Sequence, residues 1–188
     1  MCSSDLVNTG LLTGSAIMTG MRTYFSGYSP LKHSDRGLPA AMWSASSGKF
    51  GYKLKWTGLD EIIFEHCSPT PVYAVISESD QGPRLELKPA GHLLGLTTHE
   101  KIMALRREYP DAHFAAIGPA GENYRANYMG AVALSTENQL KSGDDKCRFA
   151  GRGGMGSLMG YKNLIALVAQ SRDKLDKPRS AEHTSELQ

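Results

Sequence analysis

Along the chain, short apolar runs alternate with clusters of Gly, Pro, Ser and Thr, and the clearest helical period opens at Thr97-Thr-His-Glu100. These four residues fit a capping box, in which the Thr97 oxygen accepts from a first-turn N–H and Glu100 reaches back to the Thr97 backbone. Ile102, Leu105 and Tyr109 follow at helical spacing, and Pro110 ends the helix. Residues 62–65, 72–76 and 84–88 are β-rich runs bounded by Pro, Gly and Ser, which predict strands. A strand over 113–117 runs into Gly118-Pro-Ala-Gly-Glu122, a tight-turn sequence. Residues 124–135 read as a further strand with an irregularity at Gly130, followed by a short helix near 157–162 and a last strand over 164–169. Residues 8–24 alternate turn residues with short apolar pieces and read as loops and strand ends. Ser44-Ala-Ser-Ser-Gly48, flanked by Trp43 and Phe50, reads as a small-residue loop. Strands outnumber helices, so the expected class is α+β, with several loops free to converge on one face.

Composition narrows the function classes. At 188 residues the chain is long enough for one domain with a real core. A net charge of +2 argues against a nucleic-acid or membrane-surface partner. No apolar run approaches a membrane span, and no charged-then-apolar leader opens the chain. Cys2, Cys67 and Cys147 form no CxxC pair and six histidines lack ligand spacing, so the thiols read as reduced and the protein as cytoplasmic. The two ends stand apart. Residues 179–188 resemble the translation of a DNA-sequencing adapter with one substitution at Ala181, and residues 1–6 resemble its opposite strand. The expected organisation is an artefact over 1–6, a truncated domain over 7–170, a polar linker over 171–178 and an artefact over 179–188.

The candidate chemistry lies in one segment. Five glycines and two arginines fall between Arg148 and Gly160. Glycine lets backbone N–H groups press close to a ligand, and arginine supplies a fork of donors for phosphate or carboxylate. The segment therefore reads as a cradle for a large anionic cofactor. Gly151-x-Gly153-x-x-Gly156 meets the letter of the dinucleotide fingerprint, but residues 142–147 before it read as a polar turn rather than the required strand. Gly151 and Gly156 also have the spacing of a triphosphate loop, yet Ser157 stands where its lysine belongs. A dinucleotide-dependent oxidoreductase stays open as an alternative and predicts a parallel sheet with a strand just before Gly151. A non-enzymatic β-rich interaction module also stays open and predicts that Arg22, Ser47 and Arg152 lie far apart.

Several ordered motifs carry a resemblance. Ile117-Gly-Pro-Ala-Gly-Glu-Asn123, Ala150-Gly-Arg-Gly-Gly-x-Gly156 and Met159-Gly-x-Lys-Asn-Leu164, with Leu12-Thr-Gly14, Thr19-Gly-x-Arg22 and Ser47-Gly-x-Phe-Gly51 before Leu54-Lys55, resemble the N-terminal domain of the tungsten-containing aldehyde:ferredoxin oxidoreductases. The resemblance covers essentially residues 8–169. It implies two β-sheets forming a base for a tungsten or molybdenum bis-pterin cofactor. Arg22 matches the family's first cofactor-contacting arginine. Ala45, Ser46, Ser47 and Gly48 match a loop that touches the pterin, where Ala45 would offer its carbonyl to a magnesium ion bridging the pterin phosphates. The family commonly has asparagine there. Arg148, Phe149, Gly151, Arg152 and Gly153 match the second pterin loop, where Phe149, bulkier than the usual alanine, would supply the other carbonyl. Gly10-Leu-Leu12 also departs from the family's Gly-Pro-Leu. The resemblance implies oxidation of a small aldehyde to a carboxylic acid, with a ferredoxin or iron–sulfur subunit as electron acceptor, and leaves room for a homo-oligomer. The [4Fe–4S] cysteines and catalytic acid/base groups would lie beyond residue 178, since a cluster needs four thiolates. The chain alone would then be inactive, with no catalytic residue of its own.

Overall fold

In the computed structural model, residues 5–15 and 20–172 are described. They form two β-sheets with two helices between them. The first sheet is built from β1 (Asp5–Thr9), β2 (Arg22–His33), β3 (Pro39–Ser47) and β4 (Glu61–Phe64), in the order β3-β2-β1-β4. The second contains β5 (Val72–Ser79), β6 (Gly82–Pro89), β7 (Ala112–Ile117), β8 (Val132–Leu134), β9 (Arg148–Ala150) and β10 (Leu164–Gln170), in the order β6-β5-β10-β7-β8-β9. Only β5 and β10 pair in parallel; every other neighbouring pair is antiparallel. The α+β expectation of two sheets with a few short helices holds.

The burial pattern explains the layering. β7 is buried at every position and β10 at all but the last, because both faces of the second sheet are covered. On one face lies α2 (Thr98–Glu108), which packs on β7. On the other lie α1 (Lys49–Trp56) and α5 (Met155–Tyr161), which contact β7 and β10 below and the first sheet above. Phe50, Leu54, Met155 and Met159 thus join Val7 and Phe25 to Phe114, Ile165 and Leu167 in one core. The capping box of α2 forms as expected, with Thr97 Oγ1 accepting from Glu100 N–H and the Glu100 carboxylate accepting from Thr97 N–H at 2.7 Å. Among the described residues no helix is long and apolar enough to cross a membrane.

Several expectations need correction. The described part of 8–24 keeps the expected loops and strand ends, with turns over 11–15, and adds that β1 and the start of β2 pair directly, Asn8 opposite Tyr24. Ala45, Ser46 and Ser47 are the end of β3, not a loop, and Gly48 caps α1. The α1 sequence puts apolar residues at 50, 52, 54 and 56, a period of two, yet it is helical. It lies between two sheets and buries nearly its whole circumference, so no amphipathic stripe marks it. Only 132–134 of the expected strand over 124–135 pairs with β7. The residues before it fold onto α5, where Ser157 Oγ donates to Asn127 C=O and accepts from Gly130 N–H. Arg148 and Phe149 belong to β9 rather than a loop. A further helix, α4 (Glu137–Ser142), was signalled by Thr136, whose side chain accepts from Gln139 N–H, and by Gly143 in the left-handed region after it. The ends set apart in the sequence fall mostly outside the described residues, as do 16–19 and with them Thr19. Asp5 and Leu6 open β1, and Ser171 and Arg172 follow β10.

Candidate functional site

The free edges of the two sheets meet. β3 is an outer strand of the first sheet, β9 is an outer strand of the second, and the two lie against one another. An edge strand carries backbone N–H and C=O groups unpaired on one side, so this seam concentrates backbone donors and acceptors. The chain leaving β9 crosses the seam: Arg152 N–H donates to Ser44 Oγ at 3.0 Å, and Ser29 Oγ donates to Gly153 C=O at 2.9 Å. Across the first sheet Arg22 is registered opposite Ser47, Thr23 opposite Ser46 and Tyr24 opposite Ala45. The structure therefore brings together the Arg22, Ala45–Gly48 and Arg148–Gly153 segments, and the dispersed arrangement expected of an interaction module is absent.

Strand alternation sorts their side chains. Arg22, Tyr24, Ala45 and Ser47 share the outer face of the first sheet. Thr23 and Ser46 turn inward and are buried, so Ser46 offers this face only its backbone. Trp43, on the same outer face, is 62% exposed, and its ring lies 5.8 Å from that of Tyr24. Arg22, Arg148, Phe149, Gly151 and Arg152 are exposed, and among the described residues none of the three guanidiniums is in an ion pair. The seam thus carries uncompensated positive charge beside an aromatic platform.

The glycines divide by job. A Cβ on Gly160 would sit 1.9 Å from Gly121 C=O, and one on Gly156 would sit 2.3 Å from Ala131 C=O, so these two exist to let α5 touch α3 (Pro119–Glu122) and the turn before β8. Gly154 caps α5 at φ 71, where an L side chain is strained. Gly153 is hemmed in by Met42 and Met155. At Gly151 a Cβ would meet nothing within 4 Å, which leaves open space beside its backbone.

Two polar networks, one half-exposed and one buried, brace the seam from below. Glu137 pairs with Lys49 at 2.8 Å, Lys141 at 2.9 Å and His113 Nε2 at 3.3 Å, tying the first residue of α1, next to Gly48, to α4 and β7. The Lys49 hydrogen bond, with help from Lys141 and His113, holds the Glu137 carboxyl down at about 2. Burial pushes His113 down to about 4, so the neutral ring holds a hydrogen bond to Ser135 Oγ on its other nitrogen. On the far side of the second sheet, Lys101 is fully buried and donates to Ile117 C=O at 2.8 Å and to the Glu122 carboxylate. Burial lowers its pKa and Glu122 opposes that shift. Glu122 also accepts from Gly95 N–H at 2.9 Å, which anchors α3 against which α5 packs.

Topology excludes the dinucleotide reading. A strand does precede Gly151, but β9 is antiparallel to β8, β8 to β7 and β7 to β10, so β9 and β10 run in opposite directions. A dinucleotide unit requires its two strands to be parallel. Moreover Gly156 N–H, in the first turn of α5, is already spent on Gly130 C=O at 2.8 Å. Among the described residues no group of three or more His, Cys, Asp or Glu side chains is placed to hold a metal ion. Cys67 is exposed, whereas Cys147 is half-buried and receives a hydrogen bond from Gln139 Nε2. Ser44, Ser29 and Trp43 were missed from the sequence. The alternation of Trp43-Ser-Ala-Ser-Ser47 was the available signal for a strand placing Ser44 on the inner side.

A model of the family described as aldehyde ferredoxin oxidoreductase, N-terminal domain, matches residues 6–171. The chain is 35% identical over 170 residues to the tungsten-containing aldehyde ferredoxin oxidoreductase of Pyrococcus abyssi, covering 89% of the chain and 24% of that protein. It is 32% identical over 167 residues to the enzyme of the same name from Pyrococcus furiosus, again covering 24% of it. Among solved structures, the active-site complex BamBC of benzoyl coenzyme A reductase with 1,5-dienoyl-CoA superimposes with a TM-score of 0.75 at 30% identity, over 92% of this chain and 23% of that one. The chain spans about a quarter of the length of these relatives. It belongs to the aldehyde ferredoxin oxidoreductase family, as an N-terminal domain.

Proposed function

We propose that this N-terminal domain of an aldehyde ferredoxin oxidoreductase seats a tungsten or molybdenum bis-pterin cofactor on the seam between β3 and β9. The observation that carries the reading is the junction itself: Arg22 opposite Ser47 in register, and Arg152 N–H on Ser44 Oγ. The donor set fits such a group. Two phosphates and the pterin heteroatoms require many donors at close range, which guanidinium forks and exposed edge-strand and glycine backbone provide. Arg22, Arg148 and Arg152 would bind the phosphates and ring edges. Ser47, Gly48 and Gly151 would let the cofactor approach the backbone, and Ser46 and Gly153 would contribute main chain or support. The Ala45 and Phe149 carbonyls would meet a phosphate-bridging magnesium ion; such hard cations take oxygen ligands, and neither contact depends on the side chain.

The bound group would supply two-electron redox chemistry, turning an aldehyde into a carboxylic acid and passing the electrons to an iron–sulfur partner such as ferredoxin. This domain's part is to bind and orient. The braces beneath the seam hold Gly48 and α5 in place, and the exposed guanidiniums offset the phosphate charge. Any [4Fe–4S] ligands and the groups that move protons would come from the remaining three quarters of a full-length protein.

The test uses the full-length protein carrying this domain, produced anaerobically with tungstate and molybdate. Metal is counted by mass spectrometry and pterin by fluorescence of its oxidised form. Arg152→Ala and Arg22→Ala should each lower metal and pterin together, whereas Glu86→Gln, on an edge strand of the second sheet far from β9, should not. Wild-type protein without tungsten, molybdenum or pterin above background would refute the proposal.

A further inference from the structure

A cavity lies between the far end of the β2–β3 hairpin and α5. Side chains at 24, 43, 45 and 47 share the outer face of the first sheet, whereas Gly27 faces inward, where its missing Cβ leaves room for Asp5 and for Leu158 of α5. On that α5 side, the far end of the β2–β3 hairpin overhangs α5 and the turn that follows α3, enclosing a cavity of about 960 Å³. Its size is at the upper end for small-molecule sites. The cavity adjoins the proposed cofactor seat through Ser29, whose Oγ donates to Gly153 C=O, but the chemistry of its lining points to a different ligand.

Four tyrosines line it: Tyr28, Tyr124, Tyr128 and Tyr161. Tyr124 and Tyr161 already meet edge to face, with centroids 5.5 Å apart and planes at 87°. Tyr28 and Tyr128 are each 53% exposed, so two phenol rings stand ready to accept a planar partner. The charged lining group is Arg125, and His33 adds an imidazole; among the described residues no carboxylate lines the cavity. The Arg125 guanidinium lies 5.8 Å from the centre of the Tyr124 ring, and its Nε donates to the Tyr124 hydroxyl. This contact through Nε directs the side chain along the tyrosine ring and leaves the paired terminal nitrogens as the fork that takes a carboxylate end-on. Aromatic walls, a cationic fork resting on Tyr124 and a lining without acidic groups among the described residues together select for charge and shape.

We propose that this cavity is a binding site for a planar aromatic carboxylate, its ring held among the tyrosines and its carboxylate on Arg125. The probe is naphthoate, titrated calorimetrically into the 188-residue chain at low salt, with naphthalenemethanol as the uncharged analogue and cyclohexanecarboxylate as the non-planar one. Naphthoate should bind saturably and about tenfold more tightly than either comparison compound, as one charge-assisted contact or one stacking surface would separate them. Arg125→Gln should weaken naphthoate about tenfold and leave naphthalenemethanol unchanged; Tyr128→Ala should weaken both by a similar smaller factor. Both residues are exposed, and an unchanged melting temperature for each variant confirms an intact fold. Equal binding of naphthoate and naphthalenemethanol, an Arg125→Gln variant with wild-type affinity, or no saturable naphthoate binding at about 1 mM would each overturn the proposal.

Discussion

Replacing Glu122 with glutamine tests the brace beneath α3 and α5. Two donors converge on this carboxylate, Lys101 Nζ and Gly95 N–H, and the Lys101 ammonium is fully buried. An amide offers its one acceptor oxygen to one of the two donors, and its NH₂ would face the other. The buried ammonium keeps only Ile117 C=O. Breaking a buried pair in this way costs about 3–5 kcal/mol, which for a chain of this size lowers the melting temperature by roughly 10 °C. The deficit should depend on pH. Burial already lowers the Lys101 pKa, and Glu122 is the main group that raises it, with Glu100 adding to it, so the variant's native lysine binds its proton more weakly still. Between the lowered native value and the unfolded value the unfolded chain holds more protons, and stability rises with pH. Thermal melts followed by circular dichroism at pH 7 and at higher pH should therefore show the gap between Glu122→Gln and wild type narrowing as pH rises. Lys101→Met combined with Glu122→Leu, which removes both partners, should recover much of the loss. A Glu122→Gln deficit below about 1 kcal/mol, or one that does not change with pH, would show that the pair does not hold α3 as argued.

The His113–Glu137 cluster predicts acid lability. His113 drops from 6.5 to about 4 because burial favours its neutral form, so the stability it contributes is present above pH 6.5 and is lost as pH falls towards 4. That drop corresponds to about 3 kcal/mol. The Glu137 share, smaller because solvent screens a third of its side chain, is lost lower, from 4.5 towards about 2. Urea midpoints measured from pH 7 to 4 should fall in the wild type and flatten in His113→Asn; parallel curves would refute the assignment. The glycines give a sharper contrast. Gly160→Ala drives a methyl into the Gly121 carbonyl and should cost about 3 kcal/mol or more. Gly151→Ala meets no atom and should leave the chain's stability within about 0.5 kcal/mol while lowering the metal content of a full-length protein. A Gly151→Ala variant that loads metal normally would remove that residue from the seat.

Much of the fold was legible wherever a local rule suffices. The Thr97 capping box, the Pro110 stop and the apolar runs of β5, β7 and β10 each encode their own conformation within a few residues. The glycine–arginine segment was equally visible as the centre of the candidate site, and the ordered motifs around it identified the family. Other elements depended on neighbours far along the chain. α1 repeats its apolar residues with a strand's period and is helical because two sheets enclose it. Residues 45–47 look like a loop until the Arg22 strand pairs with them. α4 had its caps written in Thr136, Gln139 and Gly143, a signal present but weak beside its polar sequence.

By itself, then, the sequence singled out the residues proposed for the cofactor seat: the arginines, the small residues after Trp43 and the glycines after Ala150. It could not say which glycines serve a ligand, because glycine marks a tight backbone approach without naming what approaches. Only the tertiary structure decided that Gly156 and Gly160 accommodate α3 and the turn before β8, while Gly151 faces open space. It also decided that the β3 and β9 edges meet, because sheet edges are joined by backbone groups that every residue has alike. Strand order and direction are properties of the whole chain, and they turn a nucleotide-like fingerprint into the seam of two sheets.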